Sequence, residues 1–218
     1  MRYQIDVFMT PAARNIPLDS LSILPASREP AMNETLDLLA RRRSAPPMAM
    51  SGPGPTPEET DLLLRLAARV PDHGKLTPWR FILIEGDKRA EIGSAVGDIY
   101  KALNPGAGAE RVAQERALFN HAPLVVTVVS RAAPHVKIPV WEQILSAGAV
   151  CMALTVAAVA MGFRTAWHTG WAAYDPRVGD LFGLTESERI AGFIHIGRSE
   201  AQFEDRARPD MDQIVTRF

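Results

Sequence analysis

Apolar residues fall at helical spacing in some stretches of the chain and in unbroken β-branched runs in others. Asn33 can cap a helix whose apolar face is Leu36, Leu38, Leu39 and Ala40 and whose end is Arg41-Arg42-Arg43. Thr56-Pro57-Glu58-Glu59 is a helix start, with a capping hydroxyl, a proline at the first position and a glutamate at the third. That helix is predicted to run to about Arg69, with Leu62, Leu63, Leu66 and Ala67 inward. Further helices are predicted over 87–102 and 107–120, broken by Asn104-Pro105-Gly106, over about 141–161, and briefly near 175–182. Strands are predicted at 80–85, 123–130, 165–169 and 190–196, and PLVVTVVS has the signature of a strand covered on both faces. The tail 206–218 ends in QIVTRF, which reads as a last strand with nothing after it to pair with locally. Helices and strands are interspersed without strict alternation, so the pattern points to an α+β or α/β domain built on a mixed sheet.

Residues 1–32 lack sustained periodicity and carry Pro11, Pro17, Pro25 and Pro30, which predicts an irregular N-terminal arm before a domain over 33–218. The arm has no uninterrupted apolar segment of the signal-peptide kind. The run 144–163 is uncharged and long enough to span a bilayer, but it is rich in Ala, Gly, Ser and Thr, as a closely packed central helix is. The chain is 47% hydrophobic and 22% charged, with a net charge of −1, so no global basic field gathers nucleic acid or anionic lipid. Cys151 is the only cysteine, which excludes an intramolecular disulfide and fits a reducing, cytoplasmic setting.

Several standard motifs are missing. There is no GxxxxGK[ST], no HExxH, no CxxC and no GxSxG, and GAGAER follows a helix and lacks the third glycine of a dinucleotide fingerprint. The five histidines are too dispersed for a sequence-local metal site, and Cys151 lies in the apolar helix as inert core. What remains is polar clusters at element ends. Arg41-Arg42-Arg43-Ser44 suits a helix C-terminus, and guanidinium forks beside a hydroxyl also suit a phosphate monoester. The loop PDHGKLTPW gathers Asp72, His73, Lys75 and Thr77; Trp167-His168-Thr169-Gly170 closes a strand; Gly197-Arg198 follows FIHI. Taken singly, each is also compatible with an ordinary solvated loop or strand end.

Taken in order, RRRS, PDH-x4-PW, KIPVWEQ-x2-SAG and MGF-x3-WHTG resemble the nitroreductase family of FMN flavoproteins, in its YdjA-type branch, over roughly Met32 to Phe218. The resemblance implies an α+β fold with a mixed sheet between helices, in an intertwined homodimer that exchanges C-terminal strands and holds FMN at the interface. Arg42, Arg43 and Ser44 would then anchor the phosphate and ribityl end. His73 and Thr77 would reach the flavin of the opposite subunit. Trp167, His168, Thr169 and Gly170 would run beside the isoalloxazine, with a backbone N–H near N5. Ala157, Ala158, Val159, Ala160, Met161 and Gly162 match a segment associated with NADH or NADPH use. His168 is the nearest candidate for a catalytic acid.

The sequence departs from the family at Pro46, where many members have lysine, and at Thr77, where glutamine is common. The family's C-terminal basic pair has three candidates here, Arg198, Arg206 and Arg208. The implied activity is NAD(P)H-dependent reduction of a nitroaromatic, quinone or similar small acceptor. The same flavin site would equally serve dehydrogenation, dehalogenation or flavin breakdown, or a non-enzymatic flavin-binding regulator.

Overall fold

The computed structural model describes residues 33–218, so the arm expected over 1–32 lies outside the described residues. The chain divides into two units, 1–37 and 38–218; of the first, only the opening turn of helix α1 (Glu34–Arg41) is described. Asn33 caps α1 as expected, its side-chain oxygen accepting from the Leu36 N–H at 2.9 Å. The apolar face is not inward, however: no residue of α1 is buried, and Leu36 and Leu39 are exposed. Helix α2 (Pro57–Ala67) starts on the predicted capping box, Thr56 accepting from Glu59 N and Glu59 from Thr56 N. Leu63 and Ala67 are buried with Thr60, but Leu62 and Leu66 are exposed, so the covered stripe is narrower than the apolar one.

The sheet holds β1 (Trp79–Glu85), β2 (Leu124–Ser130), β3 (Arg164–His168) and β4 (Arg189–Gly197) in the order β1-β2-β4-β3. Every neighbouring pair of these four strands is antiparallel, so the expected α+β class holds and, among the described residues, the parallel pairing of a mixed sheet lies outside these strands. The reason lies in the connections. Helices α3 (Lys88–Leu103) and α4 (Ala109–Ala117) pack as a hairpin, so β2 runs back against β1. Helix α5 (Val140–Ala160) then returns the chain so that β3 runs parallel to β2. After the short α6 (Pro176–Leu181), β4 inserts between those two strands and opposes both. Among the described residues the parallel component is an isolated bridge, Ser44 to Thr165, beside β3.

One face of the sheet presents Leu124, Val126, Val128, Ile194 and Ile196 to Ala147, Val150, Cys151, Leu154 and Ala158 of α5. The other presents Ile84, Val125 and Phe193 to Val96 of α3, Phe119 and Val178 of α6. All of β2 is buried, as its β-branched run predicts, and each of its leucine and valine side chains contributes roughly 1.5–3 kcal/mol. Burial pushes the Cys151 thiol up to about 12, so it is inert core. Helix α5 is apolar and long enough to cross a membrane, yet 50% of its apolar window is buried within the chain. Trp141, Ile144, Leu145 and Met152 form an exposed remainder.

The tail does not continue the sheet. Asp210 accepts from Asp212 N and starts a helical turn, α7 (Met211–Ile214), which takes Gln213 and Ile214 out of the expected last strand. Val215 is extended, but 215–218 pair with no strand among the described residues.

Candidate functional site

Two constellations carry the expected residues. The first begins where α1 ends. Ser44 bridges to Thr165 and Ala45 N donates to Thr165 O at 2.9 Å, which lays this segment alongside β3. Arg42, Arg43 and Ser44 line a cleft of about 140 Å3, and the tail brings Arg206, Arg208 and Glu204 to the same cleft. Asp205 is shared by Arg43 and Arg208, each at 2.5 Å. No carboxylate pairs with Arg42 among the described residues. Burial lowers its pKa, and Arg208, Arg206 and Arg43 lower it further, so the cleft carries uncompensated positive charge. Guanidinium groups converging with a hydroxyl fit a phosphate monoester, whose charge relieves that repulsion. Of the three C-terminal basic candidates, Arg206 and Arg208 are brought here. Arg198 instead lays its guanidinium over Phe163, 4.5 Å from the ring centroid, and its backbone pairs with Ser51.

The end of β3 lies on the same strand. Trp167 packs on the bare backbone of Gly192 and donates Nε1–H to Ala191 O at 3.1 Å, leaving the indole 42% exposed. Thr169 and Gly170 are exposed. Gly170 has φ 75 and ψ −172, a conformation that essentially only glycine adopts, with open space where a Cβ would point. His168 turns to the other face and meets His195 edge-on at 5.2 Å. Burial lowers the His168 pKa, which disfavours it as an imidazolium acid. His195 is fully buried with no partner for either nitrogen among the described residues; burial first, then His168 and His121, push it down to about 3.

The second constellation explains why PDHGKLTPW and WEQ-x2-SAG occur together. Asp72 shapes the loop by accepting from Leu76 N at 3.0 Å and Thr77 N at 2.8 Å. His73 Nδ1 bonds Glu142 Oε2 at 2.7 Å. Ser146 donates to Pro71 O at 2.8 Å and accepts from Trp79 Nε1 at 3.2 Å. Gln143 accepts from Ala133 N and donates to Ala133 O and Ile138 O, fixing the loop after β2. The start of α5 therefore clamps both loops. Lys75 and Thr77 are held at φ 55 and 48, sparse for non-glycine residues and strained for a β-branched threonine.

Ala157 and Ala158 face the core, Val159 and Met161 are half-buried, and Ala160 and Gly162 are exposed. Another cleft, of about 390 Å3, lies between α6 and the turn before β4 and contains none of the expected residues. Its Asp175 and Glu188 are committed to Arg177 and Arg80. No group of three or more metal-ligating side chains occurs among the described residues. Sequence reasoning missed the clamping roles of Glu142, Gln143 and Ser146, because only the fold brings α5 to the loop at His73.

The nitroreductase family model matches residues 40–198. The "Putative NAD(P)H nitroreductase YdjA" of Escherichia coli (strain K12) is 36% identical over 186 residues, covering 85% of this chain and all (100%) of the relative. A nitroreductase-like family protein from Bacillus cereus shares the fold, with a TM-score of 0.72 at 22% identity, covering 85% of this chain and 96% of the other. So does the FMN- and NADPH-dependent nitroreductase NfnB of Sphigopyxis sp. strain HMH, with a TM-score of 0.65 at 16% identity over 85% of this chain and 99% of the other. With the basic cleft and the interlocked loops in place, the chain belongs to the nitroreductase family of oxidoreductases.

Proposed function

We propose that the protein is a homodimeric, cytoplasmic FMN oxidoreductase that takes electrons from NADH or NADPH and reduces nitroaromatics, quinones or similar small acceptors in a ping-pong cycle. The observation that carries this reading is the convergence of Arg42, Ser44, Arg206 and Arg208 on one cleft beside β3, which ends at Trp167-His168 and leads into Thr169 and Gly170. Bound FMN would supply the two-electron chemistry, accepting a hydride and passing the electrons on. The chain's own residues bind and orient. The arginines and Ser44 would hold the phosphate. Trp167 would form a wall of the ring pocket, and Gly170 would leave its backbone N–H open to an electron-rich partner. No residue is assigned as an obligatory general acid.

A second copy of the chain is supported by three uncovered apolar surfaces: Trp141, Ile144, Leu145 and Met152 on α5, Leu62 and Leu66 on α2, and the tail from Met211 to Phe218. In that dimer residues 215–218 would join the partner's sheet, and Thr77, with His73 held by Glu142, would face the partner's flavin. Nicotinamide contact within 157–162 would fall on Val159, Ala160, Met161 and Gly162, which are accessible, rather than on Ala157 and Ala158, which are core. The net charge of −1 supports neither a nucleic-acid nor a membrane partner.

The test is the absorption spectrum of the purified protein without oxygen, before and after NADPH or NADH. Flavin bands that bleach, then return when an acceptor is added, support the proposal. A colourless protein that takes up no added FMN overturns it. The Arg42→Ala variant is expected to lose most of its flavin on gel filtration; full retention would refute the anchor.

A further inference from the structure

A third cleft, of about 200 Å3, is lined by Leu76, Thr77, Pro78, Arg131, Ala133, Pro134, His135 and Gln143, and no acidic residue lines it. Its polar groups are donors. The Thr77 hydroxyl has no partner among the described residues. His135 Nδ1 accepts from Lys137 N at 3.3 Å and Ile138 N at 3.1 Å, which leaves the ring proton on Nε2. Arg131 is 52% exposed, and its nearest carboxylate, Glu188, lies 3.8 Å from Nε. That carboxylate is already held by Arg80 at 2.7 and 3.0 Å, so the terminal nitrogens of Arg131 are uncommitted. Gln143 does not compete, because both ends of its amide are spent on Ala133 and Ile138. The walls between these donors, Leu76, Pro78, Ala133 and Pro134, are apolar.

We propose that this cleft is a subsite for the oxyanion of a substrate, a carboxylate or phosphate monoester carried on an apolar or aromatic body, with Arg131 as its principal contact. Arginine pairs with such groups through two parallel N–H donors, and with Glu188 near Nε only, the terminal nitrogens of Arg131 remain for the ligand. Gln143 preorganises the site by clamping the loop that carries His135. The assignment rests on the flavin reading for its place in the reaction: Thr77 belongs both to this cleft and to the loop that would face the partner's flavin. Two sources of oxyanion share this chemistry, an acidic acceptor and the 2′-phosphate of NADPH.

The experiment is calorimetric titration of the purified protein as isolated, wild type and Arg131→Gln, with 4-nitrobenzoate, nitrobenzene and adenosine 2′-monophosphate. Loss of one charge-assisted pair is expected to weaken the bound anion about ten-fold while lowering affinity for nitrobenzene far less. Weakening of 4-nitrobenzoate assigns the subsite to the acceptor; weakening of adenosine 2′-monophosphate assigns it to NADPH, and the NADPH-to-NADH ratio of kcat/KM then falls with it. If neither anion binds more weakly to Arg131→Gln than to the wild type, the subsite is refuted. Because the titrations read binding directly, a protein that fails to turn over nitrobenzene would count against the flavin reading alone.

Discussion

Replacing Glu188 with Gln removes one charge while keeping the side chain's shape, and the structure sets the size of the effect. Glu188 accepts from Arg80 Nε at 2.7 Å, Arg80 Nη2 at 3.0 Å and Thr185 N at 3.0 Å, tying β1 to the turn before β4. Its side chain is 8% exposed and that of Arg80 30%, so solvent screens little of the pair. The Arg80 hydrogen bond is the main cause that lowers the Glu188 pKa from the ordinary 4.5 to about 2. A carboxylate pKa depressed by folding stabilises the protein above its unfolded value and stops doing so as pH falls through the folded value. The depression corresponds to about 3 kcal/mol near neutral pH, to about 1.5 kcal/mol at pH 3, and to almost nothing below about pH 2. Glutamine resembles the protonated acid, so urea unfolding at pH 7 should find E188Q less stable by about 3 kcal/mol, with the gap roughly halved at pH 3. Equal stability at pH 7, or a gap that does not shrink between pH 5 and pH 3, would refute the reasoning.

Two further substitutions probe the site. At Gly192 an added Cβ would lie 2.1 Å from Trp167 Nε1, so Gly192→Ala must displace the indole and break its bond to Ala191 O. A loss of about 1–3 kcal/mol, a red shift in tryptophan emission and slower turnover are expected, and unchanged emission would contradict the packing described. Thr77→Asn relieves a β-branched residue held at φ 48, because asparagine tolerates that conformation. It should stabilise the protein by about 1 kcal/mol in thermal unfolding while lowering acceptor turnover; a destabilised variant would show that the strain has been misjudged.

How much was legible in the sequence depends on the range of the interaction. The capping box at Thr56, the doubly covered β2 and the uncharged core of α5 were all readable, because each follows from neighbouring residues or from local periodicity. The positions of Arg42, Ser44, Trp167 and Gly170 at element ends were readable too. The role proposed for them rests on resemblance, since a helix-terminal arginine and a phosphate-binding arginine look alike in a single stretch of chain.

Only the tertiary structure decided the rest. It chose Arg206 and Arg208 over Arg198 for the basic cleft, a selection made by a tail that folds back across more than any sequence window covers. It put β4 between β2 and β3 and so made the sheet antiparallel, which depends on how long connections return. It also turned two separate motifs into one clamp, Glu142 on His73 and Ser146 on Pro71 and Trp79. Local sequence fixes what each segment can form, because backbone propensity and periodicity act over a few residues. The pairing of charges and hydrogen bonds acts over a few ångströms of space, and only the folded chain defines which residues share that space.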